Sequence, residues 1–78
     1  LQQIHTIGIY STPIRNIEPV KNIKNLKSLT LCNLEVSDIE PIKYLTNLGV
    51  LIIKGCKNIT DEQVEEVQKA LPNLKIYR

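Results

Sequence analysis

Few residues of this chain could do chemistry: one histidine, His5, two cysteines, Cys32 and Cys56, and the carboxylate pairs Asp61-Glu62 and Glu65-Glu66. A covalent site needs a nucleophile within reach of a base, and a third group to orient that base. His5 has no Ser, Cys or Asp partner at a spacing such sites use, and reads as a solvated surface residue. Cys32 has no base or helix N-terminus placed to make it a thiolate, and Cys56 reads as a packing residue. A structural zinc site takes a full tetrahedral set of N and S ligands, which two thiols and one distant imidazole cannot supply. The carboxylate pairs fall on the polar side of a helical pattern, where they are solvated. No Gly-rich phosphate loop, nucleophile elbow or metal motif is present. The expectation is therefore a protein that is not an enzyme and carries no cofactor and no metal.

Composition points the same way. The chain has 78 residues, one domain's worth, with three Tyr as its only aromatic residues and no Phe, Trp or Met. A core must then be assembled from many thin Leu, Ile and Val layers. Ten Lys/Arg against eight Asp/Glu give a formal net charge of +2, too weak to argue for nucleic acid. No apolar run approaches the roughly 18 residues of a membrane span, so no membrane role is expected. Two unpaired thiols suit a reducing compartment.

The elements that would position any site follow from a periodicity. In Leu26–Leu48 the apolar residues fit neither a helix nor one long strand: a short alternating run is followed by apolar residues mostly three apart. A shift of 22 residues carries Ile7 and Ile9 onto Leu29 and Leu31, and these onto Leu51 and Ile53. Asn16-Ile-Glu-Pro19-Val20 likewise maps onto Asp38-Ile-Glu-Pro41-Ile42. Each unit reads as a short strand, a turn, and a brief helical or 3₁₀ turn that opens at proline. Ser37 and Glu40 fit a capping box, as do Thr60 and Gln63. Val64, Val67 and Leu71 lie on one stripe, which predicts an amphipathic helix over Asp61–Leu71, followed by Pro72 and a last strand over Leu74–Arg78. The units run over about 4–25, 26–47 and 48–73, with the terminal strand at 74–78.

Leu26-x-x-Leu29-x-Leu31 and Asp38-Ile-Glu-Pro41-Ile42-x-x-Leu45-Thr-Asn-Leu48 resemble the 22-residue leucine-rich repeats of internalin-like proteins. Leu51-x-Ile53-x-x-Cys56-x-x-Ile59 is similar to the cysteine-containing subtype. The resemblance implies an α/β solenoid: a short parallel sheet on its concave face, 3₁₀ or helical turns on its convex face, and one α-helix near the C-terminus. Where the family usually places Asn or Cys, this chain has Thr12, Leu34 and Cys56, so the turns are expected to be less regular than the family's.

Alternation assigns the faces. Ile7/Ile9, Leu29/Leu31, Leu51/Ile53 and Leu74/Tyr77 would point inward. Three columns would point outward: Thr6, Ser28, Val50 and Ile76; Gly8, Thr30, Ile52 and Arg78; and Tyr10, Cys32 and Lys54. Such concave surfaces are where these proteins bind. The resemblance thus implies a protein–protein interaction module, with its partner on the columns and with Tyr10, Val50 and Ile52 as leading contacts. A second reading, from a different class, is a structural C-terminal cap of a longer protein, without a binding role of its own. Leu1–Gln3 matches the end of an earlier unit, so the pattern opens midway. Either an upstream segment or self-association through the N-terminal edge is expected.

Overall fold

The computed structural model describes residues 5–78, and the expectations for Leu1–Gln3 and Ile4 lie outside them. Four strands, β1 (Thr6–Tyr10), β2 (Ser28–Cys32), β3 (Val50–Lys54) and β4 (Lys75–Tyr77), form one sheet in the order β1-β2-β3-β4, every pair parallel. Two 3₁₀ turns, Glu18–Asn22 and Glu40–Tyr44, join the first three strands, and an α-helix, α1 (Asp61–Ala70), joins β3 to β4. The chain is thus α/β, with the turns and helix in a row on one side of the sheet: the second 3₁₀ turn touches both the first and α1.

The period seen in sequence is the strand register. Ile7 pairs with Leu29 and Leu29 with Leu51; Ile9 pairs with Leu31 and Leu31 with Ile53. These inward side chains meet Ile17, Val20, Ile39, Ile42, Leu45 and Val67 in one contiguous core. Leu29, Leu31 and Leu51 are completely buried. Each such side chain contributes about 1.5–3 kcal/mol by leaving water. Burial is complete in the middle of the stack and falls away at β1, where Ile7 and Ile9 point inward but are only partly covered.

Side chains that accept backbone N–H groups set the turns. Asn16 Oδ1 accepts the Glu18 N–H at 2.7 Å, and Asp38 Oδ1 accepts the Glu40 N–H at 2.9 Å. Asn16 and Asp38 also form a parallel bridge to each other. The capping box expected at Ser37 is therefore not made; an Asx turn one residue later does that work in both units. Pro19 and Pro41 stand second in each 3₁₀ turn, ahead of the first N–H that bonds within it, where a missing N–H leaves no bond unmade. At α1 the Thr60 hydroxyl accepts the Gln63 N–H at 3.2 Å. The return half of that box is absent, since Gln63 Oε1 has no partner. The helix ends at Ala70, one residue before the expected limit, and Gln68 Nε2 donates to the carbonyls of Leu71 at 3.0 Å and Leu74 at 2.8 Å.

The terminal strand corrects the sequence reading. Val50 pairs with Lys75, Leu51 with Ile76 and Ile52 with Tyr77. Ile76 therefore points inward and packs on the core, while Lys75 and Tyr77 point outward, the reverse of the expected alternation. The reason lies at the strand entrances. Lys27 and Ser28 both donate to the His5 carbonyl, and Gly49 and Val50 both donate to that of Lys27, so one extra residue is absorbed before β2 and before β3. Before β4 a single donor, Lys75, meets the Gly49 carbonyl at 3.0 Å. The extra residue is missing, and every later side chain changes face. Arg78 leaves its expected column: its guanidinium pairs with Asp61 and donates to the Ile59 carbonyl at 3.3 Å.

Candidate functional site: the open sheet face

Opposite the turns and helix, the sheet carries no covering element among the described residues. Its outward columns are Thr6, Ser28, Val50 and Lys75; Gly8, Thr30, Ile52 and Tyr77; and Tyr10, Cys32 and Lys54. Of the residues expected here from sequence, Thr6, Ser28, Thr30, Cys32, Val50, Ile52, Lys54 and Tyr10 are brought together, whereas Ile76 and Arg78 are not. Tyr77, assigned to the interior by sequence alternation, joins the face instead.

The face grades across the sheet. Its centre is half-buried and small to aliphatic, with Ser28, Thr30, Cys32, Val50 and Ile52 shielding one another. Its two outer strands carry tyrosines, Tyr10 exposed to 58% and Tyr77 to 53%. Tyr10 is on the outward face but its ring lies flat along it: a Cβ placed on Gly8 would lie 2.6 Å from Tyr10 Cε2 and 2.8 Å from its hydroxyl oxygen. The ring lies over the glycine, and a side chain at position 8 would occupy its place. Tyr77 pairs with Ile52, so on that side of the face an aromatic side chain beside an aliphatic one offers non-polar contact area, with one hydroxyl to orient a partner.

One feature of this end of the sheet went unseen in sequence. The residue after each of the first three strands has positive φ: Ser11 at 47°, Asn33 at 56° and Gly55 at 68°. Ser11 and Asn33 donate their N–H groups to the last carbonyls of the neighbouring strands, Cys32 and Lys54, at 2.9 and 2.8 Å. The turn backbone thus repeats from unit to unit. The signal was available: Ser, Asn and Gly recur at the repeat spacing, and Asn and Gly tolerate the left-handed region best. Cys56 is buried and its thiol faces the carbonyls of Leu31 at 3.5 Å and Lys54 at 3.6 Å, a packing residue with a weak hydrogen-bonding role.

The chemistry-capable residues remain apart. No three His, Cys, Asp or Glu side chains converge as metal ligands would, among the described residues. Asp61 is paired with Arg78, and Glu66 lies 3.6 Å from Lys43. Glu18 holds Lys21 above the ordinary lysine value of 10.5, through its hydrogen bond first and its charge second. No helix is long and apolar enough to cross a membrane, among the described residues. In comparisons with known proteins, no family model matches the chain and no curated protein matches it.

Proposed function

We propose that this chain is a leucine-rich-repeat module that binds a protein partner on the open sheet face. The observation that carries the reading is the face itself. Val50 and Ile52 stand half-exposed between Tyr10 and Tyr77, while their strand neighbours Leu51 and Ile53 are buried. Apolar groups rimmed by polar and aromatic ones mark interaction surfaces. The 22-residue register and the thiol of Cys56 in the turn support the family likeness.

The test compares capture of partners by the native chain with capture by Ile52→Lys and Tyr77→Lys, each checked for folding by circular dichroism. A Tyr44→Lys variant, altered on the opposite side, serves as control. Partners lost with the face variants and kept by the control support the reading. Retention of every partner by a folded Ile52→Lys/Tyr77→Lys double variant overturns it.

A second reading is favoured by the C-terminal end. There Arg78 pairs with Asp61 of α1 and donates to the Ile59 carbonyl, and Gln68 of α1 donates to the Leu74 carbonyl, so side-chain bonds hold the residues on either side of the last strand. On this reading the last unit is a cap that closes the hydrophobic stack, a structural element and not a binding one. A chain whose face variants bind normally, but whose solubility collapses with Arg78→Ala and Gln68→Ala, would favour it.

A further inference from the structure

We infer that the partner of the open sheet face is an acidic protein segment, one that sets an apolar side chain on Val50 and Ile52 and carries Asp or Glu on either side of it. The inference rests on the reading of that face as a binding surface, and adds the partner's chemistry.

Charge is divided between the strands and their connections. All eight carboxylates of the chain lie off the strands: six in the 3₁₀ turns and α1, and the other two, Glu35 and Asp38, in the connection after β2. The columns of the open face hold no carboxylate and two cations, Lys54 and Lys75. Both are exposed, and neither makes an ion pair among the described residues. Arg15, Lys21, Lys43 and Arg78, by contrast, each have a carboxylate partner. A chain with a formal charge of only +2 thus presents a face whose charges are all of one sign.

The two ammonium groups bracket the apolar patch. Lys75 pairs with Val50, and Lys54 follows Ile52 by two residues, which returns it to the same face. At about 3.3 Å per residue and about 4.8 Å between strands, their Cα atoms stand roughly 14 Å apart. Val50 and Ile52 lie between them, with Tyr77 beside Ile52. A partner that buries an apolar side chain on this patch brings its flanking residues within reach of an ammonium at either end. A carboxylate in those places meets its opposite charge, whereas a lysine or arginine meets its own. Nucleic acid suits the sign but not the layout. A single strand is held by cations that track its backbone, and here aliphatic side chains fill the space between the only two.

The test pans a random peptide display library on the native chain and keeps the peptides that a folded Ile52→Lys/Tyr77→Lys variant fails to bind. The expected sequences place Asp or Glu on both sides of a Leu, Ile, Val or aromatic residue. From the same library, Lys54→Glu/Lys75→Glu should select Lys and Arg in those places. Should that variant lose its fold by circular dichroism, the native chain decides with a synthetic selected peptide. Its affinity should fall several-fold from low to high salt. Replacing its carboxylates by amides should weaken it by on the order of tenfold. Face-dependent peptides without an acidic bias overturn the partner chemistry and leave the face a binding surface; lysines that merely keep exposed strands soluble give that result. A library that leaves no face-dependent peptide overturns both readings. A labelled oligodeoxythymidine that binds the face more tightly than the selected peptides also overturns the inference, in favour of nucleic acid.

Discussion

The ring of Tyr10 lies over Gly8, within 2.6 Å of where a Cβ would stand. Glycine in a strand costs roughly 0.5–1 kcal/mol relative to alanine, so this position trades local stability for the place the ring occupies. Gly8→Ala meets only the outer atoms of a side chain that can swing away. The fold should survive with a stability within about 1 kcal/mol of native. The Tyr10 ring resonances should shift as the ring leaves the sheet. Chemical denaturation and NMR check the two halves; unchanged ring resonances would contradict the contact.

Gly55 is a different case. Its φ of +68° strains any other residue, and a Cβ there would lie 2.1 Å from Asn33 Oδ1. Gly55→Ala should cost on the order of 1–3 kcal/mol, more than Gly8→Ala. Removing the Asn33 side chain as well, in Asn33→Gly/Gly55→Ala, relieves the clash but not the backbone strain. The double variant should therefore recover part of the loss relative to the sum of the singles, a coupling that urea melts of the four proteins measure.

Position along the stack sets the cost of emptying the core. Leu29→Ala removes a completely buried side chain and should cost about 2–5 kcal/mol. That is comparable to the whole stability of a domain this small, so the variant should be largely unfolded at room temperature. Ile7→Ala, at the equivalent place in the partly covered first strand, should cost clearly less. Equal losses at the two sites would mean that the β1 layer is covered as well as β2.

The two thiols should differ in access. Cys56 is buried against the Leu31 and Lys54 carbonyls, and Cys32 is half-exposed on the sheet face. A disulfide reagent such as dithiobisnitrobenzoate should modify Cys32 in the folded protein and reach Cys56 only as the chain opens. Adding denaturant should bring both to one rate.

The Glu18–Lys21 pair gives a pH signature. Because Lys21 sits above 10.5 in the folded chain, the stability it lends is complete below that value. It is lost as pH rises through the higher folded value. The pair is solvent-exposed, so at neutral pH Glu18→Gln should leave the melting temperature nearly unchanged. The Lys21 titration followed by NMR should fall back toward the ordinary lysine value in that variant.

Much of the architecture is legible from residue types alone. The 22-residue spacing of Ile7, Leu29 and Leu51 predicts three strands in register, and the repeated Asn/Asp-Ile-Glu-Pro pattern predicts the two 3₁₀ turns, both as observed. The helix over Asp61–Ala70 follows from one apolar stripe, a threonine cap and a following proline. Of the proposed binding columns, the eight residues from the first three strands lie where alternation puts them. Ile76 and Arg78 do not, because alternation counted from Leu74 assumes the same strand entrance as before.

Local residue type thus determines which segments are strands, turns or helix and which side chains seek the core, since these follow from backbone preference and apolar spacing. Only the assembled sheet decides parity and closure. Whether two amides or one share a neighbouring carbonyl at a strand entrance depends on that neighbour. That choice turned Ile76 inward and Tyr77 outward. The same holds for Arg78, drawn to Asp61 and the Ile59 carbonyl, and for the ring of Tyr10, which found its place over the one strand residue with no side chain.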